Sequence, residues 1–296
     1  MEYQQLGRSD LNISRIGFGC MSLSTSKEAE SLEMIHRAIE SGINYFDTAD
    51  MYDKGTNEML LGKALRTKRD QVIIATKVGN QWRADGSGWD WNPRREYILA
   101  AIDESLKRLQ TDHIDLYQLH GGTIDDPIDE TIDAFEHLKK QGKIRFYGIS
   151  SIRPNVIREW VARSGLSTVM MQYSLLDRRP EEEALPLLLK HEIGVLARGP
   201  MAQGLLVGKP AKDYQGKTAF QVNEIASFIR DQKVSASALS IQYVLRHPSI
   251  SAAVVGIRTK KHLTDALEAI SATPVPESLY QQLNQLSPPG FYTDHR

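Results

Sequence analysis

Short runs of apolar and β-branched residues alternate along this chain with longer stretches in which apolar residues return every three or four positions. The short runs read as strands at 16–19, 43–47, 72–76, 114–119, 144–149, 168–171, 194–197 and 252–255. The longer ones read as amphipathic helices, among them 27–40, 58–66, 94–109, 130–141 and 155–163. The strand runs are apolar on both faces, and such strands separated by helices make a parallel sheet covered by helices. The punctuation agrees. Asn92 and Pro93 offer a cap followed by proline at a first helical position, and Gly42, Gly142, Gly165 and Gly194 each follow a helical run. Eight units follow one another with no charged or Pro/Gly-rich linker. They predict a single domain over residues 1–296, an α/β fold of the closed (β/α)8 TIM-barrel type.

Three segments stand outside the repeat. Residues 3–13 read as a β-hairpin turning near 7–10, placed to plug the barrel floor. Two long connections, 79–93 and 199–216, follow the third and seventh strands and emerge at the C-terminal face, where barrel enzymes carry their active sites. The first holds Trp82, Trp89 and Trp91. These rings either wall a pocket or pack the loop down, and the pocket is the expectation carried forward.

Composition narrows the function. At 296 residues and 41% hydrophobic, the chain can bury a large core. Lys+Arg 36 against Asp+Glu 37 gives a net charge of -1, which removes any bulk attraction to nucleic acid or to an anionic membrane. A local basic site for one phosphate remains compatible with that balance. No apolar run approaches the roughly 20 residues that span a bilayer. The first residues have neither the basic start nor the apolar stretch of a secretion signal. The expectation is a cytoplasmic globular protein. Cys20 is the single cysteine, so no intrachain disulfide or cysteine metal cage can form.

Four polar residues fall at or just after strand ends: Asp47, Tyr52 five residues later in the same loop, Lys77 and His120. In a barrel these ends converge on one mouth. The set has a chemical logic. A tyrosine hydroxyl ordinarily titrates near 10 and is a poor acid at neutral pH. An ammonium beside it stabilises the phenolate, and a carboxylate beside the lysine keeps that ammonium charged and oriented. An imidazole nearby can donate a hydrogen bond to a carbonyl oxygen as it becomes an alkoxide.

The order of these residues carries a resemblance. Tyr45-Phe46-Asp47-Thr48-Ala49 with Tyr52 and Glu58, Ala75-Thr76-Lys77, Asp115-Leu116-Tyr117 with His120, and Gly148-Ile149-Ser150 are similar to successive signatures of the aldo-keto reductase family. Gln172-Tyr173-Ser174-Leu175-Leu176, Gln203-Gly204-Leu205-Leu206 and Val255-Gly256-Ile257-Arg258 continue it over essentially the whole chain. The resemblance implies a (β/α)8 barrel that reduces aldehydes or ketones with NADPH. It makes Tyr52 the general acid and Asp47, Lys77 and His120 the rest of a catalytic tetrad.

It also implies where NADP(H) lies. Gly19, Cys20 and Met21 after the first strand, Asp47 and Gln172 would be among the cofactor-binding residues, and Ser150 and Ser151 would hold the nicotinamide amide. Arg198, Gly199, Pro200, Gln203, Gly204, Leu205 and Lys209 would surround the pyrophosphate. Gly256, Arg258, Lys260 and His262 would receive the adenosine phosphate, a basic helix start suited to a dianion, and Asp265 would contact the adenosine ribose or adenine. The Gly17–Gly19 pair alone is no dinucleotide fingerprint, because Ser22 occupies the third glycine position. Three residues depart from the family pattern: Ser151 where asparagine is common, Arg198 where a tyrosine often stacks on the nicotinamide, and Ala266 where an asparagine often reads adenine. Arg198 can stack as a plane or reach a phosphate. Cys20 reads as a buried, inert thiol or as an oxidisable one that gates the cofactor.

Two other classes stay in view. One is an NADPH-binding redox sensor or regulatory subunit with little turnover. The other is a metal-dependent hydrolase, which needs several ligands at strand ends where only His120 is placed; no metal is expected. The three tryptophans and the tail 288–292 suggest aromatic walls for a small-molecule carbonyl substrate. Neither the substrate's identity nor the oligomeric state follows from the sequence.

Overall fold

The computed structural model describes residues 1–296. Twelve strands follow in chain order: β1 Tyr3–Gln5, β2 Asn12–Ser14, β3 Ile16–Gly19, β4 Tyr45–Asp47, β5 Ile73–Val78, β6 Asn80–Trp82, β7 Trp89–Trp91, β8 Ile114–Leu119, β9 Ile144–Ser150, β10 Thr168–Gln172, β11 Gly194–Arg198 and β12 Ile250–Gly256. Eight of them close a parallel barrel in the order β10-β11-β12-β3-β4-β5-β8-β9. Its strands are the eight read from the sequence. The helices are α1 Glu28–Glu40, α2 Thr56–Leu65, α3 Arg95–Leu109, α4 Ile128–Lys140, α5 Pro154–Arg163, α6 Ala184–Lys190, α7 Ala219–Arg230, α8 Ala236–Leu245, α9 Lys260–Ser271 and α10 Glu277–Leu286. None is long and apolar enough to cross a membrane.

The apolar residues divide into two cores. The larger lies between strands and helices, with Ile74, Val169 and Val195 facing Leu61, Trp160 and Leu239 among others. The smaller fills the barrel: Tyr45, Ala75, Leu116, Met170, Leu196 and Ala252 meet Leu6, Leu11 and Ile13 of the N-terminal hairpin. The hairpin is therefore a plug, with β1 and β2 antiparallel and Tyr3 opposite Ser14. Gly7 turns it with φ +53°, and a Cβ there would lie 2.3 Å from the Ser167 carbonyl oxygen. Only glycine fits that approach.

Local signals place most helix ends within two residues, and the exceptions have identifiable causes. Gly42 and Gly142 end α1 and α4 in the left-handed region, at φ +88° and +74°. Gly165 and Gly194 do not serve this way. Gly194 opens β11 opposite Thr168, and the left-handed residue after α6 is Glu192 at φ +54°. Asn92 does not cap α3: its side-chain oxygen accepts from the Arg94 amide at 3.1 Å, two residues early, and the Arg95 amide is satisfied instead by Glu130 of α4 at 2.9 Å. The connection at 79–93 is no plain loop. It holds the hairpin β6–β7, with Trp82 opposite Trp89.

Candidate active site

At the C-terminal ends of β4, β5 and β8 the barrel brings Asp47, Lys77 and His120 into one mouth. Lys77 lies in register with Gln118, and Asp47 with Ala75, so the three strands present their polar ends at similar height. Lys77 is buried. Its ammonium donates to the Asp47 carboxylate at 2.5 Å and to the Thr48 carbonyl at 2.7 Å. Tyr52 arrives from the following turn, where Asp53 and Lys54 both adopt left-handed backbone at φ 49° and 54°. Neither is glycine, so the turn stores modest strain beside the functional ring. The Lys77 nitrogen sits 5.2 Å from the Tyr52 ring centre. The rings of Tyr52 and His120 meet edge to face, with centres 5.7 Å apart and planes at 81°.

The electrostatics follow from burial. Desolvation works against the Lys77 ammonium, but the Asp47 carboxylate and Tyr52 outweigh it and lift Lys77 above the ordinary lysine value. His120 goes the other way. Burial first, then the positive charges of Lys77 and Arg198, lower it from 6.5 to about 3. The imidazole is therefore neutral at physiological pH, and its Nδ1 is buried without a partner. Gln118, two positions before His120 on the same strand face, donates weakly to Asp47 at 3.5 Å while its carbonyl oxygen stays unpartnered. The alternation of β8 could have pointed to it. Glu58 lies behind the mouth, buried, accepting from Thr76 at 2.5 Å and from Arg108 at 2.6 Å. It is a brace with no free valence.

A cavity of about 1440 Å³ opens over these residues. Its wall includes Asp47, Tyr52, Lys77 and His120, and most of the other expected residues: Gly19, Met21, Ser150, Ser151, Gln172, Arg198, Gly199, Pro200, Gln203, Gly204, Lys209, Gly256, Arg258, His262 and Asp265. Trp89 and Trp91 line it too. Four expected residues do not. Cys20 is fully buried, with burial pushing its thiol well above the usual range. Leu205 faces the core. Lys260 pairs with Glu33 on α1 at 3.1 Å. Trp82 turns away, its indole N–H on the Met51 carbonyl at 3.3 Å and its ring under the Lys54 ammonium. The C-terminal tail is off the wall as well: Tyr292 packs under the Arg179 guanidinium, 4.7 Å from its ring, and Phe291 is exposed.

The far side of the cavity gathers the cations Arg198, Lys209, Arg258 and Lys261. Ala202, Gln203, Gly204 and Gly208 all take positive φ after β11, and within this run of turns the Ala202 and Gly204 amides donate to the Gly199 and Met201 carbonyls at 2.9 Å. Lys209 folds over Gly204, where a Cβ would come within 3.0 Å of the lysine chain. Thr259 caps α9 by accepting from the His262 amide at 3.2 Å, while Lys261 donates to Asp265 at 2.8 Å. His262 Nδ1 and Ser22 Oγ are buried without partners nearby. Arg198 donates to the Gln172 side chain at 3.2 Å. Sequence reasoning missed several wall residues, including Met51, Asn80, Thr123, Arg153, Tyr214 and Ser237. Met51, Thr123, Arg153 and Tyr214 sit in loops, whose side-chain directions carry no periodic signal, while Asn80 opens β6 and Ser237 lies in the first turn of α8.

Comparison with known proteins agrees with this geometry. The family model described as "Aldo/keto reductase family" matches residues 15–288. Over 100% of both chains the sequence is 46% identical to a Bacillus subtilis protein, "Uncharacterized oxidoreductase YqkF". It is 37% identical to the aldo-keto reductase YhdN of the same organism over 72% of this chain and 66% of that one. The holo form of aldo-keto reductase AKR11C1 from Bacillus halodurans superposes with a TM-score of 0.96 at 45% identity, covering 100% of this chain and 99% of that one. Its apo form gives 0.88 at 44% identity. The barrel, the order of its motifs and these matches make the chain a member of the aldo-keto reductase family, an oxidoreductase.

Proposed function

We propose that the protein is an NADPH-dependent reductase of aldehydes and ketones in which Tyr52 is the general acid. The observation that carries this reading is the buried Lys77–Asp47 pair beneath Tyr52, with a neutral His120 on its other side. A buried ion pair is a poor source of stability on its own. Placed against a tyrosine at the base of a large cavity, it supplies what a phenol needs to give up a proton.

The residues present fit NADPH. Arg198, Lys209 and Arg258 line the cavity with no carboxylate partner, and the unpartnered His262 and Ser22 atoms lie beside the capped start of α9. Arg258 and Lys261 at that helix start suit a phosphate dianion, which favours NADPH over NADH. Ser151, whose hydroxyl accepts from the Arg153 amide at 3.2 Å, and Gln172 would hold the nicotinamide amide. When bound, the reduced nicotinamide supplies the hydride to the carbonyl carbon. The substrate oxygen sits between Tyr52 and His120. As negative charge grows on it, the Tyr52 hydroxyl delivers its proton, and the neutral imidazole offers a ring N–H. Lys77 stabilises the phenolate left behind, and Asp47 keeps Lys77 charged and aimed. Trp89, Trp91 and Met51 exclude water from the side where the carbonyl compound binds.

The test is NADPH oxidation followed at saturating cofactor with a panel of aliphatic and aromatic aldehydes. Measurable turnover supports the reading. Tight NADPH binding without turnover on any carbonyl would replace it with a sensing role.

A further inference from the structure

The charges on the cavity wall do not balance, and one of them is unexplained by the cofactor. Both wall carboxylates are already paired, Asp47 with Lys77 and Asp265 with Lys261. Four wall cations have no carboxylate within ion-pair distance: Arg153, Arg198, Lys209 and Arg258. Three of these lie at the end of β11 or in the loops after β11 and β12, where the phosphates of a dinucleotide would satisfy them. Arg153 does not. It follows β9, and its guanidinium donates to the carbonyl of Gly122, two residues beyond His120 in the loop after β8. That contact anchors it on the carbonyl-binding side, among Ile152, Thr123 and Trp91. The acid in this region, Asp126, is committed elsewhere: it accepts from Trp91 Nε1 at 3.0 Å, from the Thr123 amide at 2.6 Å and from the Thr123 hydroxyl at 3.0 Å.

We propose that Arg153 is a specificity-determining residue, and that the preferred substrates are carbonyl compounds bearing a carboxylate. The proposal rests on the reductase reading above. A guanidinium with one N–H held by Gly122 still presents donors to a planar anion, and a carboxylate matches that fork with a single compensating charge. A half-buried cation on a cavity wall discriminates between an anion and its neutral ester. The two-residue step from His120 to Gly122 spans at most roughly 7 Å, since Gly121 and Gly122 take φ +143° and +127° in place of extended backbone. The carboxylate therefore lies a few bonds from the reacting carbon, as in a short-chain semialdehyde.

The experiment compares succinic semialdehyde with its methyl ester as substrates of the full-length protein with NADPH. The acid should exceed the ester in kcat/KM by about 10-fold or more, the size expected of one charge-assisted contact. Arg153→Gln should bring that ratio close to one, mainly through KM for the acid, and Arg153→Lys should restore part of it. Thermal unfolding and NADPH titration check that each variant is folded. A wild-type ratio at or below one overturns the proposal whatever the variants do. So does a folded Arg153→Gln variant that keeps the wild-type ratio. Turnover of the ester with no preference for the acid sinks this inference alone, whereas no turnover of either compound sinks the reductase reading with it.

Discussion

Asp47 and Asp115 are both buried carboxylates held by cations, at opposite ends of the same barrel. Asp115, near the start of β8, is saturated: it accepts from the Ile74 amide at 2.9 Å and from Arg145 at 2.9 Å, and it forms an ion pair with Arg69 at 2.8 Å. Arg145 also reaches Asp10 at 2.8 Å, which ties the plugging hairpin to the wall. Around Asp47 the satisfaction is incomplete. Asp50, Gln118 and His120 each keep a buried polar atom without a partner, and the neighbouring turn carries two left-handed non-glycine residues. Unsatisfied buried groups cost stability. The floor spends its polar groups on the fold, whereas at the mouth His120 keeps an unpartnered ring nitrogen on the cavity wall, with Asp50 and Gln118 unsatisfied behind it.

That contrast can be broken by substitution at each end. Lys77→Met should cut kcat on the order of 10³-fold, about 4 kcal/mol of transition-state stabilisation, while steady-state assays detect residual reduction in folded protein. Asp115→Ala should do the opposite, costing about 3 kcal/mol of stability in urea titrations with little change in kcat per folded molecule. A large loss of turnover from Asp115→Ala in folded protein would erase the distinction. Leu6→Ala in the plug should cost about 2 to 3 kcal/mol by leaving a cavity in the inner core, again with turnover retained.

A pH dependence concerns Asp50, beside the mouth. Burial, with Glu58 nearby, raises its carboxyl from 3.8 to about 8. A raised folded-state value means that the folded chain holds a proton the unfolded chain has released. The stabilising contribution is complete below pH 4 and is lost as pH rises through 8, with a slope of at most about 1.4 kcal/mol per pH unit. Asp50→Asn should flatten stability between pH 5 and 8. An unchanged pH profile would show that Asp50 is ionised in the folded state.

Much of this was legible in the sequence because it depends on periodicity. The eight strands of the barrel follow from apolar runs, and the convergence of Asp47, Lys77 and His120 follows from their places at strand ends. The plug was legible because Gly7 marks its turn. What escaped depends on directions and long-range partners. Trp82 and Trp89 face one another across a hairpin that a Gly- and Asp-rich segment does not announce, and only one of the two rings reaches the cavity. Asp115 finds its partners from three different elements. Gly194 looks like a helix stop, yet it is needed where the hairpin touches the wall: a Cβ there would come within 2.7 Å of the Gly7 nitrogen.

The central claim is that Tyr52 delivers the proton. Its most direct test is Tyr52→Phe, assayed for NADPH-dependent aldehyde reduction alongside a fluorescence titration of NADPH binding. The account requires turnover to fall by about 10³-fold or more while NADPH affinity stays within about twofold of wild type. A folded Tyr52→Phe protein that reduces aldehydes at the wild-type rate would contradict it.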